Sequence, residues 1–233
     1  MKNSITKLSR VVEEFGQQIV EGTYAPGSPL PSETELCKTF ELSRATLREV
    51  VKVLAAKRLI KVQQHSGLQA MPKEKWNYLD VDVLRWALSG PDNPELVRLL
   101  LETRSVVEPA ITEWAAERAT ACDLMEMESA VNDMAKYRDD KPAFNSADVR
   151  FHQALVAAAH NYVIEQLGEA IGILQRAVFD ATYVSDASTR EETIAQHREL
   201  YDAIRLKQAK SARRLSEAMI KRVEKRIVAA FEA

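Results

Sequence analysis

The run Leu42-Ser43-Arg44-Ala45-Thr46-Leu47-Arg48-Glu49-Val50-Val51-Lys52-Val53-Leu54 decides how this chain reads. At helical spacing Leu47, Val50, Val51 and Leu54 fall at i, i+3, i+4 and i+7 and make one apolar stripe. Arg44, Arg48 and Lys52 recur every fourth residue on another face, with Thr46 near its start. Ser43 suits the N-cap, where its hydroxyl accepts from an amide of the first turn. A short helix with a dry side, and with guanidinium groups in its first turns, is built like the recognition helix of a helix-turn-helix. Three basic residues alone also fit an ordinary solvated face. The flanking sequence separates the two readings.

Upstream, residues 6–22 read as a helix that buries Leu8, Val11, Val12, Phe15, Ile19 and Val20 and stops at Gly22. Residues 23–31 hold three prolines and read as a connection fixed by proline rather than by strand pairing. Ser32 with Glu35 is a capping box that opens a short helix through Leu36, Cys37 and Phe40. A turn at Glu41-Leu42 then leads into the basic helix. Downstream, Leu59–Gln63 and Leu68–Ala70 read as a hairpin turning at Gln64-His65-Ser66-Gly67, which makes a wing. A wing tip commonly approaches the DNA backbone, so Gln64, His65 and Gly67 join the candidate contacts, though His65 also fits a solvated turn.

Residues 1–72 carry 10 Lys+Arg against 7 acidic residues, and the remainder 22 against 27. The basic part is thus the part that meets a polyanion. Two cysteines without a CxxC partner fit a reducing compartment. The start of the chain shows no signal peptide and no apolar run is long enough for a membrane span, so a soluble, cytoplasmic protein is expected. Residues 73–79 read as a linker between a winged helix-turn-helix (1–72) and a helical domain (80–233), with Trp76 and Tyr78 seating the linker on the second domain. Asp80 or Asp82 caps a short helix through Trp86. From Pro94 onward the periodicity is helical throughout, so the second domain is expected to be an antiparallel bundle and the fold mainly α. Its first long helix is expected to bury Leu96, Leu99, Leu100, Thr103, Val107, Ala110, Ile111 and Trp114; a later one spans 164–178.

Inside the bundle, Asp148 and His152 share a helical face at i, i+4, and His197 lies on a later helix. A carboxylate and two imidazoles from separate helices could hold Zn or another divalent transition metal. They could equally be satisfied one by one by backbone carbonyls and neighbouring acids.

The pattern Ile19-x2-Gly22-x-Tyr24-x-Pro26-Gly27-x2-Leu30-Pro31-Ser32-Glu33-x-Glu35-Leu36, with Ser43-Arg44-x-Thr46-Leu47-Arg48-Glu49, resembles the winged-helix domain of GntR-family bacterial regulators. The resemblance implies that Arg44, Arg48 and the residues Ser43, Ala45 and Thr46 around them contact operator DNA. Thr34 stands where some relatives have a DNA-contacting arginine, and Ala45 where some have threonine. Arg104-x3-Glu108-Pro109, Asp148-x2-Phe151-His152 and His197-x4-Asp202-Ala203-Ile204 are similar to the FCD ligand-binding domain of the FadR subfamily. That resemblance implies a metal held by Asp148, His152, His197 and a fourth residue, but the fourth position falls on Met219, or on Arg222 in a shifted register. It also implies that Arg104 pairs with the carboxylate of an effector, although an i, i+4 surface pair with Glu108 is the alternative.

Within that subfamily, Trp76–Trp86 and Leu174–Phe179 resemble regulators of sugar-acid use, which implies an effector such as galactonate. This closer resemblance also implies that Thr182 and Tyr183 are pocket-wall candidates, with Asp186 within reach. The expected protein is a homodimeric repressor on a pseudo-palindromic operator, released by its effector. Another carboxylate (a hexuronate, a dicarboxylate or an acyl conjugate) is the alternative. A metal-dependent enzyme using Asp148, His152 and His197 is disfavoured, because no general base stands beside them.

Overall fold

The computed structural model describes residues 6–63, 67–89, 93–166, 168, 172–173 and 187–231. The chain divides into two compact units, Met1–Asn93 and Pro94–Ala233.

In the first unit, α1 (Lys7–Val20) starts from Thr6, whose hydroxyl accepts from the Ser9 amide, and leads into Gly22 at φ +83°. Glycine enters that left-handed region without a Cβ clash. α2 (Glu33–Thr39) carries the Ser32/Glu35 capping box. α3 (Arg44–Ala56) is capped by Ser43, which accepts from the Thr46 amide. Between them Glu41 turns the chain at φ +51°, and the Leu42 amide donates to the Cys37 carbonyl at 2.9 Å. Phe15, Leu36, Phe40, Leu47, Val50 and Leu54 close one apolar core over these helices.

β1 (Ile60–Gln63) and β2 (Gly67–Ala70) pair antiparallel, with Ile60 opposite Ala70 and Gln63 opposite Gly67. Residues 23–31 are not held by proline alone. Pro29 bridges Gln69, the Leu30 amide donates to the Leu68 carbonyl and the Ala70 amide to the Ser28 carbonyl. The exposed edge of β2 therefore finds partners in a segment whose prolines mask its strand character.

α4 (Val81–Ser89), expected in the helical domain, packs into the first unit instead: Val83 and Trp86 belong to the core of α1 and α3. Trp76 and Tyr78 also lie against that core, and Trp76 Nε1 donates to the Met71 carbonyl at 2.9 Å. By packing, the division of the chain follows α4 rather than falling within 73–79.

The second unit is helical throughout its described residues: α5 (Pro94–Arg118), α6 (Ala121–Lys136), α7 (Lys141–Ala158), α8 (Ala187–Arg205) and α9 (Ala209–Phe231). α5 and α9 run antiparallel, since Leu101 packs with Ile227 at one end and Glu113 pairs with Arg213 at the other. α6 and α7 pack side by side, and α8 lies against α6. Of the helix expected over 164–178, the described residues 164–166, 168, 172 and 173 are helical. The buried face of α5 is rotated from expectation: Leu99 is 46% exposed, whereas Leu101, Arg104, Glu108, Ile111, Thr112 and Ala115 face inward. Among the described residues no helix is long and apolar enough to cross a membrane.

Candidate functional site

On the first unit, the core residues of α3 force its other face outward. Arg44, Ala45 and Arg48 are exposed, as are Ser43 and Thr34, and Thr46 is half-buried. Ser43 Oγ lies 2.9 Å from Thr46 Oγ1, so the two hydroxyls lie together at the N-terminal turn. Arg48 is held loosely, 4.0 Å from Glu33 of α2, and Lys52 pairs with Glu49 at 2.8 Å. Arg44 has no ion-pair partner among the described residues. The result is one exposed, basic, hydroxyl-bearing helix end. Gly67, at φ +82°, opens β2; Gln64 and His65 lie outside the described residues.

In the second unit, the inward residues of α5, α7 and α8 bring five polar side chains together. Arg104 and Glu108 are 7% and 3% exposed, and the guanidinium grips the carboxylate through Nε and Nη2. The surface-pair alternative is thereby excluded. Arg104 Nη1 makes no hydrogen bond among the described residues. Glu108 Oε1 also lies 3.0 Å from His152 Nδ1, without the alignment of a hydrogen bond. His197 Nε2 lies 2.9 Å from Asp148 Oδ1 and 3.3 Å from His152 Nε2. Phe151 closes on both imidazoles edge-on.

Burial by itself would raise the Glu108 carboxyl; Arg104 and then His152 outweigh it and hold Glu108 well below the usual carboxylate range. Burial likewise works against Asp148, whose pKa is nevertheless lowered by His197. For Arg104, burial is countered by Glu108, and the guanidinium stays charged.

Asp148, His152 and His197 each offer a ligand atom, all within 4.8 Å of one another. His197 Nδ1 donates to the Thr193 carbonyl at 2.8 Å, which orients the ring and turns Nε2 toward Asp148 and His152. Two imidazole nitrogens and a carboxylate oxygen converging in this way fit a divalent transition metal with open positions. The fourth position is not a ligand. Met219 packs against the bundle core, and Arg222 pairs with Glu192 at 2.9 Å. Tyr183, Thr182, Asp186 and Leu174–Phe179 lie outside the described residues.

Glu108 is the central residue that spacing arguments passed over. Residues 101, 104, 108, 111, 112 and 115 form one helical stripe whose polar members an apolar pattern leaves out.

The galactonate operon transcriptional repressor of Escherichia coli (strain K12) is 46% identical over 217 residues, covering 93% of this chain and 95% of that protein. The model for bacterial regulatory proteins of the gntR family matches residues 7–69, and that for the FCD domain matches residues 99–222. The chain belongs to the GntR family. It carries an FCD domain as its second unit, and it is a ligand-responsive DNA-binding regulator rather than an enzyme. Solved GntR structures share its fold. A Streptococcus agalactiae GntR is 26% identical with a TM-score of 0.51, covering 94% of this chain and 99% of that one. Lar of Listeria monocytogenes, at 19% identity, reaches a TM-score of 0.66 over 96% of this chain and 97% of its own.

Proposed function

We propose that this GntR regulator represses a sugar-acid catabolic operon and leaves its operator when galactonate binds the second unit. The observation that carries the reading is the buried cluster of Arg104, Glu108, Asp148, His152 and His197. Burying that many ionisable groups costs several kcal/mol per ion before pairing, on the order of what only a specific role justifies. The high identity to a galactonate operon repressor supplies the ligand class.

A guanidinium matches a carboxylate through parallel hydrogen bonds, so Arg104 receives the acid end of the effector. Asp148, His152 and His197 receive its hydroxyls, directly or through a divalent transition metal that they would hold together. Such an ion supplies a Lewis-acidic position for an effector oxygen. In the cytoplasm a homodimer places two α3 helices in successive major grooves of a pseudo-palindrome, about 34 Å apart. Arg44 and Arg48, with Ser43, Ala45, Thr46 and Thr34, lie at the base edges and phosphates, and the wing tip of Gln64, His65 and Gly67 lies at the backbone. Effector binding releases DNA only if the two conformations differ in effector affinity.

Gel shifts on the DNA upstream of the protein's own gene test the head. Arg44→Ala and Arg48→Ala should each weaken operator binding about 10- to 100-fold. Unchanged binding in both removes α3 as the reader. Calorimetry with galactonate, with a hexuronate and a dicarboxylate in parallel, tests the pocket. Arg104→Lys keeps a cation beside Glu108 but loses the fork, and should weaken galactonate binding about 10-fold or more. Equal affinity excludes Arg104 as the clamp. Elemental analysis of the purified protein decides the metal.

A further inference from the structure

Lys57 ends α3 and is only 9% exposed. Its ammonium donates to both Asp80 oxygens at 2.7 and 2.9 Å and to Asp82 Oδ2 at 2.8 Å. Asp80 Oδ1 also accepts from the Asp82 and Val83 amides at 3.1 and 3.3 Å, so it caps α4. One ammonium therefore joins the end of the recognition helix to the start of the next helix. Farther along α4, Arg85 forks onto Glu13 of α1 at 2.7 and 2.8 Å, and Trp86 Nε1 donates to Glu13 Oε1 at 2.8 Å. The Trp86 ring fills the notch over Gly16, where a Cβ would come within 2.5 Å of it. Lys57 Nζ lies 5.7 Å from the same ring.

These attachments are spread along α4 and reach two different helices. A helix held at one point can pivot, but a helix held at its cap and again near its end cannot turn without breaking them. A partly desolvated ammonium loses most when its carboxylates leave, because water does not fully replace them. The α4 side of this attachment, Asp80, Asp82, Arg85 and Trp86, falls outside both family matches, whereas Glu13, Gly16 and Lys57 lie within the gntR match.

We infer that α4 is latched to the DNA-reading unit as one rigid body, with Lys57 as the positioning residue that makes the recognition helix follow any movement arriving through the chain beyond Ser89. The inference rests on the effector-released repressor reading for its coupling, though not for the latch itself.

The test uses the full-length protein with Lys57→Met, which keeps the stem and removes the charge. Three quantities are read: hydrogen exchange of amides 81–89, galactonate affinity by calorimetry, and the fold-loss of operator affinity at saturating galactonate. The expected result is exchange in α4 faster by about tenfold or more, unchanged galactonate affinity, and a fold-loss that collapses toward one. Unchanged exchange overturns the latch. Faster exchange with an undiminished fold-loss overturns the coupling role. If Lys57→Met does not fold, Asp82→Asn decides on the same readouts, because it removes a carboxylate from the same ammonium and spares the Asp80 cap. A wild-type protein that ignores galactonate overturns the effector reading instead, while the exchange measurement still supports or overturns the latch.

Discussion

Each unit carries a charged network, and water treats the two differently. In the first, the Arg85–Glu13 pair is open to water, at 45% and 43% exposed, and stands apart from the more buried Lys57, at 11%, on the other side of Asp82. In the second, Arg104, Glu108, His152 and His197 are all buried. Exposed pairs keep most of their solvation whether formed or broken, so they set geometry at little energetic consequence. Buried pairs have surrendered that solvation and depend on one another to stay charged. The Arg85–Glu13 pair aligns helices; the buried cluster is one whose members cannot be removed singly.

The largest effect should come from breaking the buried network on one side. Glu108→Ala leaves Arg104 without its counter-ion and should destabilise the second unit by about 3–5 kcal/mol, read as a lower transition for that unit in calorimetric melts. Arg104→Met with Glu108→Leu removes both charges, and should recover most of that loss while abolishing effector binding. If the single variant melts like wild type, the cluster is solvated in solution and the contrast between the networks fails.

The same contrast explains what could be read from residues alone. The first unit was legible almost to its caps, because Ser32, Ser43, Leu47 and Leu54 each follow a local rule and the burial pattern agrees. The strand pairing of Pro29 was not, since proline hides a partnership made through its neighbours' amides and carbonyls. Nor was the seat of α4: Trp86 is apolar toward any core, and only Gly16 and Glu13 on α1 decide which one receives it. In the second unit the apolar stripe of α5 misled. Leu99 and Thr103 are exposed, while Arg104 and Glu108 take the inward positions. Hydrophobic periodicity locates a core face only where that face is apolar, and a binding site is where it is not. The resemblance of Arg104-x3-Glu108 to a ligand-binding domain carried information that periodicity lacked.

A steric change in the first unit should rank next. Gly16→Ala drives a Cβ to 2.5 Å from Trp86 Cη2 and Cζ3, so either the ring or α1 must shift. Overpacking of this kind costs about 1–3 kcal/mol. Urea titration should show it as a lower midpoint for the first unit, with no change in galactonate affinity. An unchanged midpoint would mean that Trp86 is not seated there.

The smallest effect tests whether the exposed network behaves as an exposed one. The Arg85 hydrogen bonds are the largest influence on Glu13, and with the bond from Trp86 they hold its carboxyl below the ordinary value despite partial burial. A carboxyl whose folded pKa is depressed contributes stability above its unfolded pKa and loses it as pH falls through the folded value. Glu13→Gln should therefore lower the melting temperature at pH 7 by the equivalent of only about 0.2–1 kcal/mol, since the pair is open to solvent. The difference from wild type should begin to shrink below about pH 4.3, the unfolded value for Glu, and vanish beneath the folded pKa. High salt at pH 7 should shrink it as well, because ions reach an exposed pair. A difference insensitive to both pH and salt would assign Glu13 to packing with Trp86 rather than to charge, and would move this residue across the line that separates the two networks.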